Sequence, residues 1–230
     1  MKVITRFLLL SFCTLGLLAS AQAAIETYKI DPVHSSVGFT IRHFFSSVPG
    51  AFTKFSGTIV VDRDNLERST VEVAIEVPSI DTHSDMRDKD LRSEKFFGAE
   101  KFPLITFKSK SWVKTGEGAF DVTGDLTIKD VTKSVVLKVK LLGFGPGMRG
   151  AMLSGWEAST TLNRNDFGIT TFPKVLGDDV GVAISVEADL AKGLAAPPGV
   201  GRTLTRPIFD AWRIAGPDRP WVEGFFCRSD

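Results

Sequence analysis

Four stretches of the chain alternate apolar and polar or small residues with a period of two. They are Val37-Phe39-Ile41, Val71-Val73-Ile75-Val77, Val135-Leu137-Val139-Leu141 and Val180-Val182-Ile184-Val186. Successive strand side chains point to opposite faces, so each stretch reads as a strand with one buried and one wet face. The same reading predicts strands near 25–31, 35–43, 52–62, 69–78, 104–113, 119–129, 134–143, 153–163 and 180–190. Short turns join them: Asp62-Arg63-Asp64-Asn65, whose side chains bond their own backbone, the glycine-rich Lys114-Thr115-Gly116-Glu117-Gly118, and Lys129-Asp130-Val131-Thr132-Lys133. Strands joined mostly as hairpins predict an all-β fold, an antiparallel up-and-down barrel of about eight strands.

Residues 82–97 break the alternation. Thr82 or Ser84 can cap a helix, and Asp85 and Asp88 then fall in its first turn, where the helix dipole favours negative charge. With Met86, Leu91 and Phe96-Phe97 as the apolar positions, this segment predicts a short helix lying across one barrel mouth. Residues 143–152, with four glycines and a proline, predict a flexible loop, and 164–179 a second irregular connection. From Gly193 the prolines break any strand, and Trp212, Trp221, Phe225 and Phe226 follow no period. The expected organisation is a barrel over 24–192 and a mobile tail over 193–230. The rival reading is a clasp that packs its aromatics on the barrel.

The first residues address the protein. Lys2 and Arg6 form a basic start, Phe7 to Leu18 an apolar run too short to span a bilayer, and Ala21-Gln22-Ala23 a small-x-small cleavage pattern. The expectation is a signal peptide over 1–23, cut after Ala23, and a mature periplasmic protein without stable membrane insertion. Cleavage removes two of 28 basic residues and leaves 27 acidic ones, a mature net charge of −1 that gives no reason to expect nucleic-acid binding. Cys13 leaves with the signal, so Cys227 has no partner for an internal disulfide.

The ordered series of motifs resembles the YceI family across nearly all of 25–190. It runs Asp31-Pro32-Val33-His34-Ser35, then Phe39, Arg42 and His43, Gly50-Ala51-Phe52 with Phe55 and Gly57, and Ser79-Ile80-Asp81-Thr82. Arg87-Asp88, Leu91, Phe96-Phe97, Phe102-Pro103-Leu104-Ile105-Thr106-Phe107 and Gly124-Asp125-Leu126-Thr127-Ile128 follow, then Asn163-Arg164-Asn165-Asp166-Phe167-Gly168 and Gly177-Asp178 with Val180. The resemblance implies a lipocalin-like barrel whose elongated pore holds a polyisoprenoid-type amphiphile. Lys89-Asp90 departs from the family, which often has a His before the Leu. So does Asp130, where a Gly is usual, and the tail after Lys192 has no counterpart.

The expected ligand-binding residues are Phe39, Ile41, Phe52, Phe55, Phe96, Phe97, Phe102, Phe107 and Phe167, with Arg87, Arg164 and His43 at a polar mouth. For any single Phe, core packing competes with pore lining; together they exceed what closing a small barrel needs, and an eight-stranded barrel has room for one small ligand. Arg42, Arg87 and Arg164, with Asp81, Asp88 and Asp166, either anchor a phosphate, phenol or carboxylate head group or fasten loops to the barrel. His34, His43 and His83 match no metal spacing, so no metal and no cofactor are expected. No nucleophile elbow occurs. The function expected is therefore a non-enzymatic carrier for a long-chain isoprenoid or similar lipid, a homodimer being left open. The alternatives are a small exported metal-dependent hydrolase using the His and Asp groups, and a stress-linked scaffold without ligand.

Overall fold

The computed structural model describes residues 25–148 and 150–191. The expected signal peptide, the cleavage site, the tail from 193 and Cys227 lie outside the described residues.

Eleven strands and one helix follow the chain: β1 (Ile25–Ile30), β2 (Ser36–His43), β3 (Ser46–Phe52), β4 (Phe55–Asp62), β5 (Thr70–Glu76), β6 (Ile80–Asp81), α1 (Asp85–Arg92), β7 (Leu104–Gly116), β8 (Ala119–Ile128), β9 (Val131–Pro146), β10 (Met152–Asn163) and β11 (Leu176–Leu190). Every pairing is antiparallel. The first six strands are three long strands, each interrupted once. β1 and β2 both run along β11, with Tyr28 opposite Leu190 and Ile41 opposite Val180. β3 and β4 run along that first pair, and β5 and β6 along the second. With β7 to β11 they form eight wall positions in chain order, and β11 closes on β1. The expected up-and-down barrel of eight strands is what the chain forms.

Side chains bridge the interruptions. At 31–35 the Asp31 N–H donates to Glu187 O at 2.9 Å, while the Ser35 hydroxyl donates to that carbonyl and accepts from the Glu187 N–H. At 53–54 and 77–79, Ser79 Oγ accepts from the Lys54 N–H at 3.0 Å and donates to Glu76 O. Ladder bonds lost where the strands bend are replaced, so the wall stays continuous.

The alternation holds where it was read. On β9, Val135, Leu137, Val139 and Leu141 pack on the core while Ser134, Val136, Lys138 and Lys140 are exposed. Opposite charges pair across the outer face: Lys138 with Asp121 at 2.7 Å, Lys108 with Glu72 at 2.7 Å and Lys110 with Asp125 at 2.6 Å.

Three elements differ from expectation. β3 begins at Ser46, earlier than the strand expected from 52, because Pro49 sits where only β2 pairs with the strand and no second neighbour needs its missing N–H. The expected loop over 143–152 is strand as far as Pro146, since Gly143 and Gly145 pair with Gly155 and Leu153 of β10. β11 begins at Leu176, inside the segment expected to be irregular, and an irregularity separates Leu176 from Val180. The helix is shorter than 82–97, and Ser84 at its N-cap makes no side-chain bond. The Asp88 carboxylate instead accepts from the backbone N–H and hydroxyl of Thr82, which ties the helix to the segment that leads into it.

The connection 82–103, which carries α1, and the connection 164–175 lie at the same barrel end as the β2–β3 and β8–β9 turns. Thr171 Oγ ties the two connections by donating to Lys95 O at 2.6 Å. We call this end the mouth and the opposite end the base.

Candidate functional site

The barrel interior is apolar, and its packing changes from base to mouth. Near the base Tyr28, Val61, Val122 and Ala188 are fully buried. Five aromatic rings meet there: Tyr28 on Phe144 at 5.9 Å, Phe144 on Trp156 at 5.7 Å, Trp156 on Trp112 at 5.7 Å and Trp112 on Phe120 at 5.8 Å. Arg63 lies over Phe144, 3.8 Å from the ring centre, and 3.8 Å from the Glu26 carboxylate. Tyr28 donates to the same carboxylate at 2.6 Å. Burial, then that bond, pushes the phenol up to about 12, so it stays protonated as a donor.

Toward the mouth the inward residues of β9, β10, β11 and β2 are only half-buried. Leu137, Leu162, Ile184 and Phe39 all keep partial exposure although they pack on the core. The β9–β10 ladder ends at Lys138 opposite Ser159, while both strands continue toward the mouth. The wall is therefore parted beside the half-buried apolar residues. By contrast, the inward faces of β7 and β8 (Ile105, Phe107, Trp112, Val122 and Leu126) are buried throughout. A groove of about 590 Å³ crosses the β8–β11 wall, lined by outward residues such as Lys138, Lys140, Glu157 and Ser185 and by the inward Phe120, Val139, Ala158 and Ile184.

The aromatic residues singled out from sequence divide between wall and mouth. Phe52, Phe55, Phe96, Phe107 and Phe167 are buried; Phe39, Phe97, Phe102 and Ile41 are half-buried. Phe39, Phe52 and Phe97 form a chain of rings 5.7 and 5.9 Å apart, running from β2 across β3 to the 82–103 connection. Phe96 reaches the other connection through Phe172, at 6.3 Å.

The charged set does not gather. Arg164 is 5% exposed. Its Nε donates to Gly177 O, Nη1 to Ile169 O and Thr171 O, and Nη2 to Leu176 O and Asp178 Oδ1. All five N–H groups are used on its own connection and the start of β11, which leaves none for a head group. Arg87 donates from Nε and Nη2 to the hydroxyl and carbonyl of Thr82, and Arg42 donates to Phe44 O. Asp166 is exposed, and Asp81 accepts from the His83 N–H. His43 is exposed, with its ring edge-on to Phe44.

The histidines are also apart. His34 precedes β2 and His43 ends it, about 23 Å of extended chain away, so the three-histidine alternative is not assembled. His34 instead sits 2.6 Å from Asp31 and 3.8 Å from Glu187 at the β1–β2 break. Asp31, His34 and Glu187 offer ligand atoms within 4.8 Å of one another, but the bonds observed there secure the break in the strand. The hydrogen bond between Asp31 and His34 raises the imidazole above 6.5 and lowers the carboxyl below 3.8. A raised histidine stabilises the fold below its unfolded value and loses that contribution as pH rises through the folded one. A depressed carboxyl stabilises it above its unfolded value and loses that contribution as pH falls through the folded one. The pair is therefore at full strength between about 3.8 and 6.5. We predict an NMR midpoint for the His34 ring above 6.5 that falls in Asp31→Asn; an unmoved midpoint would show the pairing absent in solution.

Sequence reasoning missed the aromatic base. Trp156 was within reach, since it alternates with Glu157 on a predicted strand. Trp112 was not: an irregularity between Ser109 and Ser111 shifts the parity of β7. Among the described residues, Trp112 Nε1, Ser154 Oγ and Trp156 Nε1 are buried without a hydrogen-bond partner.

Comparison with known proteins agrees with this architecture. The YceI-like domain family matches residues 28–188. Protein YceI of Salmonella arizonae and that of Salmonella newport are each 40% identical over 183 residues, covering 78% of this chain and 95% of theirs. The crystal structure of the Campylobacter jejuni YCEI protein superposes with a TM-score of 0.60 at 34% identity, covering 69% of this chain and 95% of that one. Two more distant structures share the fold: Burkholderia cenocepacia BcnA (TM-score 0.64, 23% identity, 69% and 98% coverage) and a polyisoprenoid binding domain from Saccharophagus degradans (0.55, 12%, 71% and 98%). No helix among the described residues is long and apolar enough to cross a membrane. With the family match over most of its length and the eight-stranded barrel to go with it, this chain belongs to the YceI family.

Proposed function

We propose that this protein is an exported, non-enzymatic carrier that holds the chain of a long isoprenoid or similar amphiphile inside the barrel. The observation that carries the reading is the half-buried apolar interior on β9, β10, β11 and β2, beside the parted β9–β10 wall. Removing each methylene-sized group of a ligand from water there contributes about 0.8 kcal/mol, so a long chain needs no specific bond to be retained. The polyisoprenoid binding domain named for the Saccharophagus degradans structure supports the same class of ligand. Phe39, Phe52 and Phe97 are the side chains assigned to the ligand chain at the mouth, with Ile41 beside them. The proposal includes a signal peptide over 1–23 cut after Ala23, action in the periplasm, and a tail from 193 that is no part of the barrel.

Native mass spectrometry of protein purified from the cell envelope is expected to show a co-purified prenyl lipid. Phe39→Asp places an unpaired carboxylate in the apolar lining and is expected to lower retained lipid on the order of tenfold or more. Phe39→Leu is expected to keep it. An empty wild-type barrel that gains no thermal stability from added prenyl lipids would reject the carrier reading.

A further inference from the structure

We infer that the mouth of the barrel docks on a membrane surface that contains anionic lipid. Two turn tips make the contact: Phe44-Phe45 between β2 and β3, and Phe172 in the 164–175 connection. The inference goes beyond the carrier reading and does not depend on what fills the interior.

Both tips stand at one corner of the mouth. The Phe44 N–H donates to Val175 O at 2.9 Å, and the N–H groups of Val175 and Leu176 both donate to Phe172 O at 3.0 Å. Phe45 is fully exposed, and Phe44 and Phe172 are half-exposed. Single exposed apolar residues need no explanation, but three aromatic rings on adjoining turns form a patch, and such patches mark interaction surfaces. The backbone holds two of the rings out under strain. Phe44 has φ 49° and Phe172 φ 53°, a left-handed conformation that is an outlier for bulky residues. In a two-residue hairpin turn the first position with positive φ ordinarily takes glycine, asparagine or aspartate. Asparagine in place of Phe44 would relieve the turn and remove an exposed ring at once, so neither local folding nor packing calls for phenylalanine there. Fixed neighbours support the rings: His43 meets Phe44 edge-on at 4.9 Å, and Phe96 lies 6.3 Å from Phe172.

The surroundings select the partner. Arg42 and Lys174 are exposed and lie within two residues of Phe44 and Phe172, and neither 42–47 nor 170–175 contains a carboxylate. Arg42 is held at its tip by donating to Phe44 O at 2.8 Å. The nearest carboxylates of the second connection and the start of β11, Asp166 and Asp178, lie outside both tips, and Asp178 faces Arg164 at 3.3 Å. Rings on projecting tips with cations beside them match the boundary of an anionic leaflet, where rings enter the acyl layer and cations meet phosphates. Docking in this pose sets the mouth of the barrel against the bilayer.

Sedimentation with vesicles, on protein purified from the cell envelope, tests the surface. Wild type is expected to bind vesicles of equal parts phosphatidylcholine and phosphatidylglycerol, and pure phosphatidylcholine more weakly. Phe45→Ser is expected to weaken binding about three- to tenfold. Phe44→Asn is expected to lose as much while its melting temperature holds or rises, because asparagine tolerates the left-handed position; that separates lost docking from lost folding. Lys174→Glu is expected to weaken binding to the anionic vesicles about fivefold or more and to leave pure phosphatidylcholine little changed. Val33→Ser, which alters an exposed apolar residue at the β1–β2 break, is the control and is expected to bind like wild type. A wild type that ignores both vesicles, or phenylalanine variants that bind as well as wild type, would overturn the inference. So would a wild type that is dimeric in ultracentrifugation and becomes monomeric as Phe45→Ser, since the patch would then meet a second copy of the chain. Native mass spectrometry of Phe45→Ser is expected to show the lipid content of wild type, so loss of docking is read apart from the carrier reading, which stands or falls on retained lipid.

Discussion

Arg164→Met is expected to lower the unfolding free energy by about 3 kcal/mol. The side chain is nearly as long as arginine and fills similar space, so the loss isolates the guanidinium. In the folded protein that group is buried and bonds four carbonyls: Ile169 O at 2.6 Å and Thr171 O at 2.8 Å in its own connection, and Leu176 O at 3.5 Å and Gly177 O at 2.9 Å at the start of β11. The connection turns through about twelve residues between β10 and β11. Without the fork these carbonyls face an apolar side chain. The fifth bond, to Asp178 at 3.3 Å, adds little, because that carboxylate is half-exposed. Arg164→Lys is expected to recover less than half of the loss, since an ammonium cannot span four carbonyls in one plane. Urea unfolding of both variants reads the effect. If Arg164→Lys is as stable as wild type but releases lipid, the arginine is a ligand anchor and the structural assignment is wrong.

The barrel was legible because its evidence is local. Alternation on β9 and β11 depends on one face meeting the core and the other meeting water, and both conditions act residue by residue. What was hidden depended on partners far along the chain. Asp31-Pro32-Val33-His34-Ser35 reads as a turn, yet the chain resumes along the same neighbour. The reason is Ser35 Oγ, which completes the ladder with Glu187, 152 residues away. Ser46 to Gly50 reads as a loop because of Pro49 and Gly50, and pairs because the far side of the strand there is free of a neighbour that would demand an N–H.

The candidate site was legible by chemistry but not by geometry. That Phe39, Phe52 and Phe97 are apolar is plain from sequence; that they stack in one chain across two strands and a loop depends on register. Arg87 and Arg164 stood out as cations in irregular segments, the usual setting for head-group anchors. Only the folded chain shows that their donors are taken up by Thr82 and by the 164–178 backbone. Trp112 lay on the wrong parity until the irregularity in β7 shifted it inward.

Two glycines on the wall are expected to respond very unequally to the same methyl group. A Cβ on Gly124 would stand 2.5 Å from Lys108 O and 2.5 Å from Phe107 Cζ. The carbonyl belongs to the β7 backbone, next to the irregularity, and cannot yield without moving the ladder. Gly124→Ala is therefore expected to cost about 3 kcal/mol, the upper part of the usual overpacking range, and shortening the ring by Phe107→Leu should not rescue it. A Cβ on Gly50 would have the far edge of the Phe39 ring as its nearest neighbour, with Cζ at 2.3 Å. That ring is half-buried, and its edge is the far end of a side chain and not backbone, so it can swing off the strand. Gly50→Ala is expected to cost less than about 1 kcal/mol and to push Phe39 into the volume assigned to the lipid. Retained lipid should then fall, or shift toward shorter chains, with stability nearly intact. Thermal unfolding and native mass spectrometry on the two variants separate the cases. Equal destabilisation by both would place Phe39 in a closed core and argue against an open interior beside it.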